Sequence, residues 1–201
     1  MRRGQTQTLP RYRETQRSLD VILIGKPSAT VSSSSALPMP RALDLACGAG
    51  ANALWLAERG WDVTAVDRSA AAIELVRAGA ERRGVKVTAH VADLEAHDFE
   101  IAPRAWDLIL MCRYLQRDLF EPAKRGLAPG GVLIAIVLLG DADESRTQRF
   151  RVQPGELAAY FSGSDGWTIL HQREVVQEHD ASARRVSLAE IAVRRELTDE
   201  S

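Results

Sequence analysis

Two carboxylates and two glycines hold the first chemical information in this sequence. Asp44 stands inside a short apolar run, Arg41 to Ala46, and Gly48 and Gly50 fall in the tight turn that follows, Cys47 to Gly50. Asn52 to Arg59 has helical spacing, and Val63 to Val66 is a second apolar run that ends on Asp67. A strand, a glycine turn, a helix and a second strand make the first half of a nucleotide-binding unit. Side chains at positions 48 and 50 would keep the backbone off a ligand lying across the first helix's N-terminus. Asp67 comes nineteen residues after Gly48. That is close to the spacing of about 20 at which an acid accepts hydrogen bonds from ribose hydroxyls.

This pattern leaves two ligands open. Gly48 to Ala53, GAGANA, fits the dinucleotide fingerprint, so an NAD(P)-binding oxidoreductase resting on Gly48, Gly50, Ala53 and Asp67 is one reading. Asp44 favours the other, because an acid beside the first glycine repels a pyrophosphate and tolerates a ligand that carries an ammonium and no phosphate. S-adenosylmethionine is such a ligand.

Five segments, in order, carry a family resemblance. Asp44-Leu45-Ala46-Cys47-Gly48-Ala49-Gly50 resembles motif I of the class I S-adenosylmethionine-dependent methyltransferases, and Val66-Asp67-Arg68-Ser69 resembles their second motif. The likeness continues through Ala92-Asp93-Leu94, Trp106-Asp107-Leu108-Ile109 and Leu127-Ala128-Pro129-Gly130-Gly131-Val132-Leu133, and so covers about Arg41 to Arg195. The resemblance implies cofactor contacts from Asp44, Ala46, Cys47, Gly48, Gly50 and Asn52 in the first motif, and from Asp67 and Arg68 in the second. It also implies that Asp93 accepts from the adenine amino group and that the Leu94 backbone meets the ring edge. A helix cap or turn acid is the plainer role for Asp93.

Within the class, Arg113 to Phe120, Arg151 to Leu157 and Gly166-Trp167 resemble small bacterial methyltransferases of the tellurite-resistance type. That branch implicates a histidine and an arginine at the substrate pocket. His179 matches the histidine, but Asp180 stands where the arginine is expected, which argues against an oxyanion substrate held by converging guanidinium groups. Arg184 or Arg185 would have to supply that charge.

Methyl transfer from a sulfonium asks little of a protein beyond a nucleophile held about 3 to 3.5 Å away with its orbital aligned. Cys112, Arg113 and Tyr114 directly follow a predicted strand, and ligands of open parallel sheets bind at the strands' carboxyl ends, so these three border the methyl-donor pocket. Arg113 is the candidate for orienting an anionic acceptor, or else a partner in an ion pair, and Tyr114 is expected to pack rather than react. His179, titrating near neutrality, is the candidate base, with a solvated surface role as its alternative. The two candidate catalytic residues are therefore Arg113 and His179. No Asn/Asp-Pro-Pro-Tyr follows the fourth strand and no basic, aromatic-rich stretch offers a nucleic-acid track, so a small-molecule acceptor is expected. A non-catalytic S-adenosylmethionine-binding protein is the remaining alternative. His90, His97, His171 and His179 show no metal-ligand spacing with the cysteines.

The elements that must position these residues follow from periodicity. Predicted helices run from Ser69 to Arg83, Leu115 to Leu127 and Pro154 to Phe161, with Pro129-Gly130-Gly131 ending the second of these. Predicted strands run over Lys86 to Val91, Trp106 to Met111, Val132 to Leu139, Trp167 to Leu170 and Val186 to Val193, with a polar loop from Gly140 to Gln148. With the two opening strands these predict an α/β fold: a Rossmann-like three-layer sandwich with a mostly parallel seven-stranded sheet and an antiparallel last strand. Three regions are expected. Residues 1–40 form a basic N-terminal segment and linker, with seven Lys or Arg up to Arg41 against Glu14 and Asp20. Arg11 to Asp20 within it is a candidate short helix, and Tyr12 a candidate cover for the cofactor. Residues 41–195 form the S-adenosylmethionine-binding domain and 196–201 a tail.

At 201 residues, with 45% hydrophobic and 26% charged residues and a net charge of -1, the composition is that of one globular domain without a nucleic-acid or membrane charge signature. The longest apolar run, Val132 to Leu139, is far short of the roughly 18 residues of a membrane span. Val21 to Ile24 is too short for a signal peptide's apolar region, so a cytoplasmic location is expected. Cys47 and Cys112 make no disulfide framework and read as small buried residues.

Overall fold

The computed structural model describes residues 39–140, 148–163, 166–178 and 185–197, all within one compact unit, Pro38–Ser201. The first half of the chain runs β1 (Arg41–Leu45), α1 (Ala51–Ala57), β2 (Asp62–Asp67), α2 (Ala70–Arg83), β3 (Thr88–Val91) and β4 (Trp106–Cys112). The second half continues with α3 (Phe120–Gly126), β5 (Leu127–Leu139), β6 (Arg151–Val152), α4 (Glu156–Ala159), β7 (Trp167–Glu178) and β8 (Arg185–Arg195), with 3-10 turns at Arg117–Leu119 and Gln148–Phe150.

The main sheet has the order β3-β2-β1-β4-β5-β8-β7, and β6 attaches to the end of β5. Every pairing is parallel except those of β8, which is antiparallel to both β5 and β7. The order reverses between β1 and β4, and that switch point opens a crevice at the strands' carboxyl ends. Leu43, Leu45, Ile109, Met111, Leu133 and Ala135 share a core with Leu119, Phe120 and Ala123 on one side of the sheet. Leu54, Leu56, Ile73 and Val76 of α1 and α2 are buried outside that cluster, which makes the third layer.

The predicted fold holds, with four local corrections. An eighth strand, β6, pairs Leu138 with Arg151 and Leu139 with Val152, so the sheet has eight strands where seven are expected. The expected helix from Leu115 begins only at Phe120, where Pro122, lacking an N–H, is accommodated in the first turn. Pro129-Gly130-Gly131 lies inside β5 where a turn is expected. A Cβ on Gly131 would stand 2.8 Å from the Trp106 and Ala128 carbonyls, so glycine there permits the close approach at the irregular register between Trp106 and Leu108. Finally, β7 and β8 run well beyond the predicted Trp167 to Leu170 and Val186 to Val193, with a register shift between Ile169 and His171 that the alternation pattern does not anticipate. The expectations on Arg11 to Asp20, on most of the loop from Gly140 to Gln148, and on His179, Asp180 and Arg184 lie outside the described residues. Among the described residues no helix is long and apolar enough to cross a membrane.

Candidate functional site

The turn after β1 is held open by backbone geometry. Ala46 (φ 54), Gly48 (φ 55) and Gly50 (φ 75) all adopt left-handed conformations, and the Cys47 amide donates to the Val66 carbonyl at 2.9 Å. A Cβ on Gly48 would meet no protein atom within 4 Å, so that face of the turn looks onto open space. Gly50 is constrained differently: a Cβ there would sit 2.6 Å from Val76 Cγ2 of α2. The requirement for glycine at 50 thus comes from helix packing, where the sequence suggests ligand approach.

Asp67, at the end of β2, ties this turn to the next. Its Oδ2 accepts from the Gly48 amide at 2.8 Å and its Oδ1 from the Ser69 amide at 2.8 Å. An ionised carboxylate offers about four lone-pair sites, so two remain on Asp67 for further donors. One strand inward, Asp44 is 1% exposed and its Oδ2 is buried without a hydrogen-bond partner. Burial pushes its carboxyl up to about 7, against a lowering hydrogen bond from the Ala53 backbone, and the Asp67 charge adds to the rise. The two acids stand on adjacent strands, close enough for the Asp67 charge to reach Asp44.

The crevice beside Asp67 has a volume of about 300 Å³ and is lined by Ala46, Asp67, Arg68, Ala92, Asp93, Leu94, Glu95, Tyr114 and Phe150. Five of the predicted residues, Ala46, Asp67, Arg68, Asp93 and Leu94, are therefore brought onto one wall. Asp93 Oδ1 also accepts from the Glu95 amide at 2.9 Å, so it holds its own turn as well as facing the crevice. The opposite wall is aromatic. Tyr114 donates to Gln116 Oε1 at 2.5 Å, and Gln116 Nε2 donates to the Leu94 carbonyl at 3.1 Å, which fixes one wall against the other. Burial and the carboxylates Glu95, Asp93 and Asp118 push the Tyr114 phenol up to about 12, so it stays protonated at neutral pH.

Asp44, Cys47, Gly48, Gly50, Asn52, Cys112 and Arg113, also predicted, are not part of the crevice lining, and His179 lies outside the described residues. Cys112 accepts a hydrogen bond from Asn52, and burial, with the nearby Asp44 charge, raises its thiol far above the usual range. Cys47 is raised by the same two effects, and both cysteines are free thiols. Arg113 directly follows β4 in a left-handed conformation (φ 61), its amide donating to the Ile136 carbonyl at 2.6 Å. Left-handed backbone costs a residue with a side chain roughly 1 to 2 kcal/mol, and here two such residues, Ala46 and Arg113, stand at the carboxyl ends of adjacent strands. Sequence reasoning missed Glu95 and Phe150 as lining residues. The only signal for Phe150 is an aromatic between two arginines just past a polar loop, and it is 52% exposed.

Residues 42–131 match the model of a family described as a methyltransferase domain. A protein of Eikenella corrodens named hemagglutinin 1 is 29% identical over 159 residues, 74% of this chain and 51% of that protein, so the chain spans about half the length of the curated relative it matches. Among solved structures, TehB from Haemophilus influenzae is similar with a TM-score of 0.65 and 21% identity, over 80% of this chain and 58% of that one. The 1,6-didemethyltoxoflavin-N1-methyltransferase of Burkholderia thailandensis, with 1,6-didemethyltoxoflavin and S-adenosylhomocysteine bound, is similar with a TM-score of 0.64 and 19% identity, over 93% of this chain and 79% of that one. The structural likenesses establish the shared fold, and the family match falls on the strands and turns that build the crevice. The stretch that matches the methyltransferase domain runs from β1 into β5 and includes Asp44, Gly48, Gly50, Asp67 and Asp93.

Proposed function

We propose that residues 41–195 bind S-adenosylmethionine in the crevice at the β1/β4 switch point and pass its methyl group to a small-molecule acceptor by in-line displacement. The observation that carries this reading is the pair of acids. Asp67, with two lone-pair sites left after Gly48 and Ser69, accepts from the ribose hydroxyls, and the orphaned Oδ2 of Asp44 supplies the anion for the amino acid's ammonium. The open face of Gly48 leaves room for the ligand against the turn, and Asp93 and Leu94 hold the adenine edge. Ala46, Cys47, Gly50, Asn52, Arg68 and Cys112 complete the cradle. When bound, the cofactor supplies an electrophilic methyl on a sulfonium. The chain's own residues bind, orient and exclude water, and Arg113, held at the end of β4, orients the acceptor.

Two features favour a small acceptor. The crevice wall carries Asp67, Asp93 and Glu95 against Arg68, which repels a polyanion. A structural relative in the same fold holds 1,6-didemethyltoxoflavin, a small heterocycle, with S-adenosylhomocysteine. Calorimetry with S-adenosylhomocysteine and with NAD tests the cofactor assignment: binding of the first alone is expected, and tight binding of NAD alone would overturn it. Transfer of labelled methyl from S-adenosylmethionine to small heterocycles and amines, compared with RNA and DNA, tests the acceptor class. Preferential labelling of nucleic acid would refute it.

A further inference from the structure

Phe150 is a large apolar side chain, half exposed, that lines the crevice and directly precedes the two-residue strand β6. Something must hold it there, since a short edge pairing of this kind orders a segment poorly. Beside the Arg149–Glu95 ion pair at 3.5 Å and the buried Val152, the main fastening comes from one guanidinium. Arg117 Nε and Nη2 donate to the two oxygens of Glu156 at 2.7 and 3.1 Å, a forked pair. The same head donates through Nη1 to the Arg149 carbonyl at 3.2 Å and through Nη2 to the Arg151 carbonyl at 2.9 Å. Those carbonyls flank Phe150 on both sides. Glu156 Oε2 in turn accepts from the Gln153 amide at 2.8 Å, closing the loop of contacts. Burial opposes ionisation of Glu156, but the hydrogen bonds from Arg117 and the Gln153 amide prevail and hold it below the usual carboxylate range.

Arg117 also begins the 3-10 turn directly after the Tyr114-Gln116 brace, so the consecutive residues Gln116 and Arg117 fasten the two aromatics that line the crevice. A surface ion pair of ordinary type is worth little, but this one fixes two main-chain carbonyls as well as a charge.

We infer that Arg117 and Glu156 are positioning residues that hold Phe150 as an aromatic wall against the nucleoside half of the bound cofactor. This rests on the proposed cofactor site. The role belongs to the fork rather than to the charge, so Arg117→Lys, which keeps the charge, does not preserve it.

The test measures S-adenosylhomocysteine affinity by calorimetry for the full chain, for Phe150→Ala, Arg117→Lys and Glu156→Gln, and for each clamp variant combined with Phe150→Ala. Hydrogen exchange at the Gln153 amide is followed in parallel. Loss of an aromatic contact is expected to weaken binding by about tenfold in Phe150→Ala. Arg117→Lys and Glu156→Gln are expected to reproduce most of that loss, and neither to weaken binding further once Phe150 is gone. Exchange at Gln153 is expected to accelerate in both clamp variants with no cofactor present. Full affinity in Arg117→Lys, or losses that multiply in the combined variants, would overturn the inference. Failure of the unaltered chain to bind S-adenosylhomocysteine would instead overturn the cofactor site itself, and the wall with it. The exchange result would then still report whether the clamp holds the segment.

Discussion

The two walls of the crevice are made in different ways. On the β1–β3 side the working atoms are backbone amides, a left-handed turn and short carboxylates, joined over a sequence distance of 19 between Gly48 and Asp67. On the side formed past β4 and β5 they are long side chains that reach across the chain, 22 residues from Gln116 to Leu94 and 39 from Arg117 to Glu156. A wall of backbone has no rotamers with which to absorb a change in volume, whereas a wall of side chains can repack. The first wall should therefore fail sharply under small substitutions and the second should yield by degrees.

Gly50→Ala puts the greatest strain on that difference. It adds a methyl 2.6 Å from Val76 Cγ2 at a φ of 75. Summing a left-handed cost and an overpacking cost gives about 2 to 5 kcal/mol of lost stability, read as the shift of a denaturant midpoint. Val76→Ala in the same background should recover the packing part and leave the backbone part. A Gly50→Ala chain as stable as the original would show that the turn repacks as freely as the opposite wall.

Asp67→Ala comes next, because it removes an acceptor from the Gly48 and Ser69 amides as well as from the ligand. S-adenosylhomocysteine affinity should fall by about 1 to 3 kcal/mol. Unchanged affinity would move the ribose elsewhere.

Asp44 gives the comparison a pH dependence. Its carboxyl, held at about 7 by burial, ordinarily titrates at 3.8. The folded state therefore holds this proton more tightly than the unfolded one. The associated stability is fully present below about 3.8 and is lost as pH rises through about 7. Melting of the ligand-free chain should show that decline, and Asp44→Asn should flatten it. If the ionised carboxylate pairs with the ligand's ammonium, affinity should drop by up to about tenfold per pH unit below 7, with a proton released on binding. Affinity independent of pH from 5 to 8 would remove Asp44 from the ligand.

The same division explains what could be read from the sequence. Strand, turn, helix and strand from Arg41 to Asp67 were legible because hydrophobic period, glycine and acid all lie within a few turns of one another. The start of α3 at Phe120 was misplaced because the apolar spacing from Leu115 to Leu127 continues through residues that the tertiary fold uses otherwise: Gln116 for its brace and Arg117 for its fork. Gly131 reads as a turn residue in the sequence because the carbonyl of Trp106, 25 residues earlier, is what demands it. Phe150 carries no local signal beyond the arginines on either side of it, since its place depends on Arg117, Glu156 and two carbonyls. Chemistry built from main chain leaves a pattern in adjacent residues, and chemistry built from reach does not.

Tyr114→Phe should have the smallest effect and bears on the second wall alone. It deletes the hydrogen bond to Gln116 and keeps the ring against the crevice. Because Gln116 retains its bond to the Leu94 carbonyl, the loss should be about 0.5 to 1.5 kcal/mol in thermal stability, with little change in cofactor affinity. The phenol, pushed up to about 12, is protonated throughout the working range and cannot act as a base there, so the pH profile of methyl transfer should keep its shape. A lost limb in that profile would mean that the aromatic wall takes part in proton transfer. A large fall in stability would mean that side chains past β4 are as intolerant as the glycine turn, and that the contrast between the two walls does not hold.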